Sequence, residues 1–175
     1  MNQDFVDLLR AFNAADVRFL VVGAYALALH GRPRATGDID LWVDATPENA
    51  TRVMRALGAF GAPTESISEA DFASPGVTYQ IGVVPGRIDI LTDLTGITLA
   101  EAWGDRVRRP FGDVEVDFIG REAFIRNKRR PVASGIWATS RAFEAVAHVV
   151  LTVVSHSPHL DSIQSGHNLE PLTSR

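Results

Sequence analysis

Residues 38–43 read Asp-Ile-Asp-Leu-Trp-Val, and this run constrains the chain more than any other. Apolar side chains at every second position suit a half-buried strand and do not suit a helix. From Asp38 to Asp44 the alternation is read as strict, so Asp38 and Asp40 share one face while Ile39, Leu41 and Val43 turn to the core. The Cα atoms of the two aspartates then stand roughly 6.5 Å apart, twice the rise of a strand residue. Carboxylates at that spacing can converge on one hard cation, or on a pair about 3.5–4 Å apart. They equally suit a solvated strand face guarded against aggregation. The dipeptide spacing alone does not separate the two readings.

The neighbours add to it. Residues 17–22 are β-branched and apolar, a buried strand that Gly23 breaks, and residues 24–30 read as a short helix. At such a turn the backbone of Gly23 and Ala24 can approach a phosphate, where the start of a helix favours negative charge. Further on, Arg87-Ile88-Asp89-Ile90-Leu91 places a third aspartate on a strand, with isoleucines facing away from it. Asp89 can complete a metal cluster or take a proton from an attacking hydroxyl. It can also be half of a surface pair with Arg87, worth little by itself.

The remaining pattern alternates helix and strand. Residues 5–12 carry apolar positions at helical spacing, and 13–16 form the turn out. Residues 31–37 are a loop, and Thr46 caps a helix that has Pro47 in its first position and runs to about Leu57. Residues 58–75 are loop-rich, with a short helix near 68–72. Residues 79–83 and 87–91 form a hairpin through Val84-Pro85-Gly86. A helical turn at 99–103, a strand at 114–119 and a helix from 121 to about 129 complete the set. The chain is therefore expected to fold as an α/β (α+β) domain over residues 1–129, a short mixed sheet with helices mainly on one face.

A formal net charge of -4 leaves no general basic field for nucleic acid, though local basic patches remain open. With no cysteine there is no disulfide and no thiolate metal site. No charged-then-apolar leader follows Met1, and the longest apolar run, near 146–154, is too short to span a bilayer. A cytoplasmic protein without a membrane partner is expected.

A glycine turn after a strand, Asp-x-Asp on the next strand and a single Asp on a later one resembles the DNA polymerase β-like nucleotidyltransferase superfamily. The stretches FLVVGAYALALHGRPRATGDIDLWV, QIGVVPGRIDIL and FIRNK are similar to small bacterial nucleotidyltransferases related to AbiEii-type abortive-infection toxins. This likeness covers nearly all of the first 130 residues. It implies that Asp38 and Asp40 hold magnesium, two ions in all, that Asp89 is the third carboxylate, and that an NTP, ATP among the candidates, is co-substrate. Gly23 and Ala24 become the phosphate turn, in place of the family's Gly-Gly or Gly-Ser. The implied acceptor is a tRNA or a protein, in a toxin–antitoxin or phage-defence setting with a cognate toxin or antitoxin as partner.

Three cations are weighed beside the carboxylates. Arg34, just ahead of Asp38, and Arg87 can each meet a phosphate or lie on the surface. Lys128 is the single lysine among 17 basic residues, which hints at a site that needs a compact ammonium, such as a triphosphate. His30 reads as a helix-end or packing residue. Asp93, Glu115 and Asp117 read as loop or strand-face carboxylates. Two rivals stand beside the enzyme reading. One is a catalytically impaired module of the same shape that pairs with a partner protein. The other is a metal-dependent glycosyltransferase, against which the glycine turn and third aspartate speak.

The tail departs from this plan. Residues 131–175 hold four of the five histidines but only five of the 38 charged residues. The family continues Asn-Lys with a phrase close to Arg-Ala-Thr-Gly-Arg-Pro-Lys-Asp-Leu-Ala-Asp-Ile-Glu. Gly135 to Arg141 can be encoded so that reading from the third base spells Asp-Leu-Gly-Asp-Ile-Glu, the middle glycine being forced by Trp137 and Ala138. Residues 130–175 are accordingly expected to be a divergent tail produced by a frameshift, the alternative being a genuine but divergent helix over 141–154. The gene's bases are expected to spell the family phrase in that offset frame, and sequencing that does not find it rejects the idea.

Overall fold

The computed structural model describes residues 2–129, with side chains as far as residue 127. The 130–175 tail and its proposed origin lie outside the described residues.

Helix α1 (Gln3–Ala14) is capped by the Asn2 side chain, which accepts from the Asp4 amide, and it buries Phe5, Leu8, Leu9 and Phe12 along one stripe. Strand β1 (Phe19–Val21) is fully buried and leads through Val22 into helix α2 (Gly23–Leu29). Strand β2 (Asp38–Val43) follows the loop, and helix α3 (Pro47–Phe60) follows β2. Thr46 caps α3 by accepting from the Asn49 amide, with Pro47 at the helix start. Asn49 itself is buried. Its Oδ1 accepts from the Arg18 amide and its Nδ2 donates to the carbonyls of Arg18 and Asp44. One amide thus ties α3 to the ends of both neighbouring strands, satisfying groups that would otherwise be stranded in the core.

A short helix α4 (Glu69–Phe72) is held by a Ser68–Asp71 capping box. The hairpin β3 (Thr78–Ile81) and β4 (Arg87–Leu91) turns through residues 82–86, with a cis bond before Pro85. Helix α5 (Leu99–Ala102), a 3-10 turn at Trp103–Asp105, strands β5 (Val107–Phe111) and β6 (Val114–Phe118), and helix α6 (Arg121–Arg129) complete the fold.

The six strands form one mixed sheet in the order β3-β4-β2-β1-β6-β5. The four central strands combine both senses, since β2 runs antiparallel to β1 and parallel to β4 while β1 runs parallel to β6. Helix α1 packs on α3 and on β6, and α2 lies on β2. The core runs from Phe12 and Leu57 on the helices to Leu20, Ile39, Leu41, Ile88 and Ile90 on the strands, all at most 2% exposed. This is the expected α/β architecture. No helix among the described residues is long and apolar enough to cross a membrane.

Three local expectations change. Helix α3 passes Gly58 and ends at Gly61, which adopts φ 83°. An exposed mid-helix glycine costs only about 1 kcal/mol, too little to stop a helix whose next turn still packs Phe60 on the core. The alternation in β2 is not strict, because Trp42 stands in the phase of the aspartates yet is 1% exposed. Strand β5, Val-Arg-Arg-Pro-Phe, was not anticipated. It is an edge strand, where Pro110 costs no ladder bond on its open side and two arginines discourage further pairing.

Candidate active site

Parallel pairing of β2 and β4 sets Asp40 directly beside Asp89, and Asp38 beside Arg87. The three carboxylates predicted from the sequence are thereby brought onto adjacent strands at one end of the sheet. Asp89 is buried, flanked by the core residues Ile88 and Ile90, while Asp38 and Asp40 are half-buried. The backbone is rigid here: the Val22 amide donates to the Asp40 carbonyl at 2.9 Å, where the end of β1 meets β2.

Arg87 lies among the carboxylates. Its guanidinium donates from both Nε and Nη2 to Asp89, at 2.9 Å each for the closest contacts, and from Nη2 to Asp38 Oδ2 at 2.6 Å. This is a bridge between two acids, one of them buried, and a surface pair does not describe it. Two residues not picked out in the sequence complete the frame. Gln80 Nε2 donates to Asp89 Oδ1 at 3.0 Å, and the Thr36 hydroxyl donates to Asp38 Oδ1. Gln80 faces Asp89 across the β3–β4 ladder, a pairing one residue out of step with the hairpin read from the sequence.

Asp40 has no such partner among the described residues. Its pKa is pushed up to about 6, first by burial, then by the negative charges of Asp38 and Asp89. Arg87 and the exposed Arg34 pull it the other way without cancelling the effect. Arg34 thus acts on the site through its charge, from the 31–37 loop.

Gly23 begins α2 at φ +61°, and a Cβ built on it would stand 1.8 Å from Asp40 Oδ2. The space a side chain would fill is taken by the carboxylate, so here the glycine serves the close approach of Asp40. Ala24 follows, buried, in the first turn of the helix. His30 caps the far end of α2, where its Nε2 stands 2.9 Å from the Ile119 carbonyl. Asp117 is buried and paired with Arg106 and Arg108, away from the carboxylates. Of Lys128 only the helical backbone is described, and its side chain lies outside the described residues.

As the side chains stand, no three His, Asp or Glu among the described residues form a ready ligand group for a metal. The guanidinium of Arg87 spans Asp38 and Asp89 as a resident cation. The donor set nonetheless fits a hard divalent ion in its chemistry. Carboxylate oxygens are its only donors, Asp40 carries uncompensated charge, and the missing Cβ of Gly23 leaves that carboxylate room. Arg87 is 30% exposed, so its side chain reaches solvent beside the two acids it bridges.

No protein-family model and no curated protein matches the chain. Among solved structures it is similar to a proposed nucleotidyltransferase of Thermotoga maritima. The two are 15% identical, with 70% of this chain and 81% of that one covered and a TM-score of 0.44. A likeness that distant carries no argument, and the function is read from the carboxylates themselves.

Proposed function

We propose that this chain is a metal-dependent nucleotidyltransferase that moves a nucleoside monophosphate from an NTP to a tRNA or protein acceptor. The observation that carries the reading is the register that sets Asp40 beside Asp89, with Asp38 one pleat away on the same strand. Asp38 and Asp40, with Asp89, would hold magnesium, two ions in the reading offered here. When bound, magnesium neutralises the triphosphate and polarises the phosphorus under attack.

The chain's own residues do the rest. Arg87, released from Asp38 and Asp89, turns its guanidinium to the phosphates, and Arg34 adds positive charge at the same mouth. Asp89, fixed by Gln80, takes the proton of the acceptor hydroxyl. That oxygen forms its bond to the α-phosphorus, the bond to the β-phosphate oxygen breaks, and pyrophosphate leaves. Positioning and charge neutralisation supply most of the acceleration. Lys128, the penultimate residue of α6, is assigned to the triphosphate as well. A toxin–antitoxin or phage-defence setting, with a cognate toxin or antitoxin as partner, is the context proposed for it.

Thermal unfolding in magnesium with each NTP tests this on the full chain and on the Asp38→Asn, Asp40→Asn double variant. Ligand at about 100 times its Kd stabilises by roughly 2.7 kcal/mol. A shift that needs magnesium and is absent from the double variant is expected. No shift with any NTP, from a protein that unfolds cooperatively, rejects the enzyme.

The Arg87 bridge favours a second reading, a catalytically impaired module that keeps the shape and pairs with a partner protein. A guanidinium that never leaves the acids would bar the metal. Labelling of a co-expressed partner or tRNA by NTP separates the two, since the module labels neither.

A further inference from the structure

Two features outside the carboxylate cluster complement each other. We infer that the tip of the β3–β4 hairpin of one copy docks in an acid-lined cleft of a second copy of this chain, a head-to-tail contact along the sheet. The inference goes beyond the nucleotidyltransferase reading and does not depend on it.

The first feature is the tip. Val83 and Val84 are 53% and 56% exposed, the most exposed large hydrophobic side chains among the described residues. Single surface valines need no explanation, but two in succession at a turn, where polar residues are the rule, do. The tip is also held in place. The Gly86 amide donates to the Gly37 carbonyl at 2.6 Å. A Cβ on Gly37 would stand 2.8 Å from Val84 Cγ1, and one on Gly86 would stand 2.8 Å from Asn2 Nδ2. The two glycines therefore let the tip sit directly on the 31–37 loop and on the start of α1. A projection fixed in this way loses little conformational entropy when it docks. Arg32 and Arg34 are exposed in the 31–37 loop, and neither that loop nor residues 82–86 contain an acid.

The second feature is a cleft of about 480 Å³ at the far ends of β2 and β4. Trp42, Leu94 and Leu99 supply its apolar lining, Asp44, Asp93 and Glu101 its charge, and no basic residue lines it. Asp44 is shared with Arg18 at 3.2 Å and Glu101 with Arg126 at 3.4 Å. Asp93 is exposed and has no ion-pair partner among the described residues.

Tip and cleft match in shape and in charge. Paired strands stand about 5 Å apart, so the hairpin is narrow enough to enter, its valines against hydrocarbon and the arginines of its seat towards the acids. A nucleic acid is repelled by such a cleft, and the tip offers no ring for a base to stack on. The tip adjoins the starts of β2 and β4 and the cleft their ends, so no copy can bring its own two together. A contact between unlike surfaces repeats from copy to copy until a ring closes. Being small, it belongs with the weak, concentration-dependent associations.

Light scattering of the full chain from micromolar to millimolar concentration tests the contact. The weight-average mass is expected to rise with concentration, and less steeply in high salt. Val84→Asp spoils the tip, and Asp93→Arg reverses the free charge of the cleft. Both positions are exposed, so each variant is expected to unfold at the wild-type temperature and to stay monomeric at every concentration. An equimolar mixture of the two variants is the sharper arm. The intact tip of Asp93→Arg enters the intact cleft of Val84→Asp, and a one-to-one dimer is expected, with nothing larger because the remaining tip and cleft are both spoiled. A wild type that stays monomeric overturns the contact. If Asp93→Arg then also unfolds earlier, the chain's own residues beyond 127 are the occupant of the cleft instead. Variants that associate as the wild type does overturn it too, as does a mixture that stays monomeric.

Discussion

Replacing Asp40 with asparagine is expected to abolish nucleotidyl transfer and, at the same time, to make the protein harder to unfold. The loss follows from the donor set. Asparagine keeps the shape but not the charge, and a bound metal contributes several kcal/mol of transition-state stabilisation. At 1.36 kcal/mol per tenfold, a drop of about a thousandfold or more is the expected result. The gain in stability follows from the same carboxylate. Burial and the charges of Asp38 and Asp89 raise its folded pKa to about 6, against about 3.9 in an unfolded chain. Below pH 4 both states hold the proton and nothing is lost. Between about pH 4 and 6 the unfolded chain ionises first, so the wild type loses stability as pH rises, and above 6 the deficit is constant. Two pH units set a ceiling near 3 kcal/mol, and solvent at a half-buried group reduces that to on the order of 1–2 kcal/mol. Unfolding in EDTA from pH 4 to 8 checks it. The Asp40→Asn variant should match the wild type at pH 4 and exceed it by a few degrees at pH 8. A variant that is less stable at pH 8, or that still transfers, contradicts the assignment.

Such an opposition between function and stability explains what was legible beforehand. The carboxylates violate the local rule that like charges are kept apart, and violations of that kind stand out in a sequence. Period-two alternation is enough to put Asp38 and Asp40 on one face without long-range information, while their assignment to one site with Asp89 rests on the family resemblance. What the pattern could not supply is the partner of each side chain. Arg87 reads as a neighbour of Asp89, and only the β2–β4 register brings it to Asp38 as well. Gln80 and Thr36 were silent for the same reason. Trp42 failed the alternation because its face is polar only at the sheet end; further along, Trp42 is 1% exposed and lines a cleft together with Leu94 and Leu99. Strand β5 was hidden because its arginines and proline are the residues an edge strand tolerates and a buried one does not. The helix start at Pro47 was readable from capping chemistry, whereas the end of α3 depended on which of two glycines took a left-handed conformation.

Gly23 supports the sharper test of the site, because its substitution touches Asp40 without changing any acidic group. In Gly23→Ala the new Cβ would meet Asp40 Oδ2 at 1.8 Å, Cγ at 2.6 Å and Cβ at 3.1 Å. The oxygen can swing away, but the Cβ contact involves strand backbone that the Val22 amide holds against β2. Either the carboxylate leaves its position or the end of the β1–β2 ladder opens. Alanine at φ +61° adds its own strain, roughly 1 kcal/mol, and overpacking typically costs about 1–3 kcal/mol more. A total loss on the order of 2–4 kcal/mol is expected, together with loss of the magnesium-dependent NTP shift. Gly31→Ala separates the two causes. Gly31 also has a positive φ, +86°, but nothing lies within 4 Å of its Cβ position, so that variant should lose about 1 kcal/mol and still bind. Were Gly23→Ala to bind NTP as the wild type does, the carboxylate it displaces would have no part in holding the nucleotide. Asp38 and Asp89 would then have to do so against the guanidinium that already bridges them.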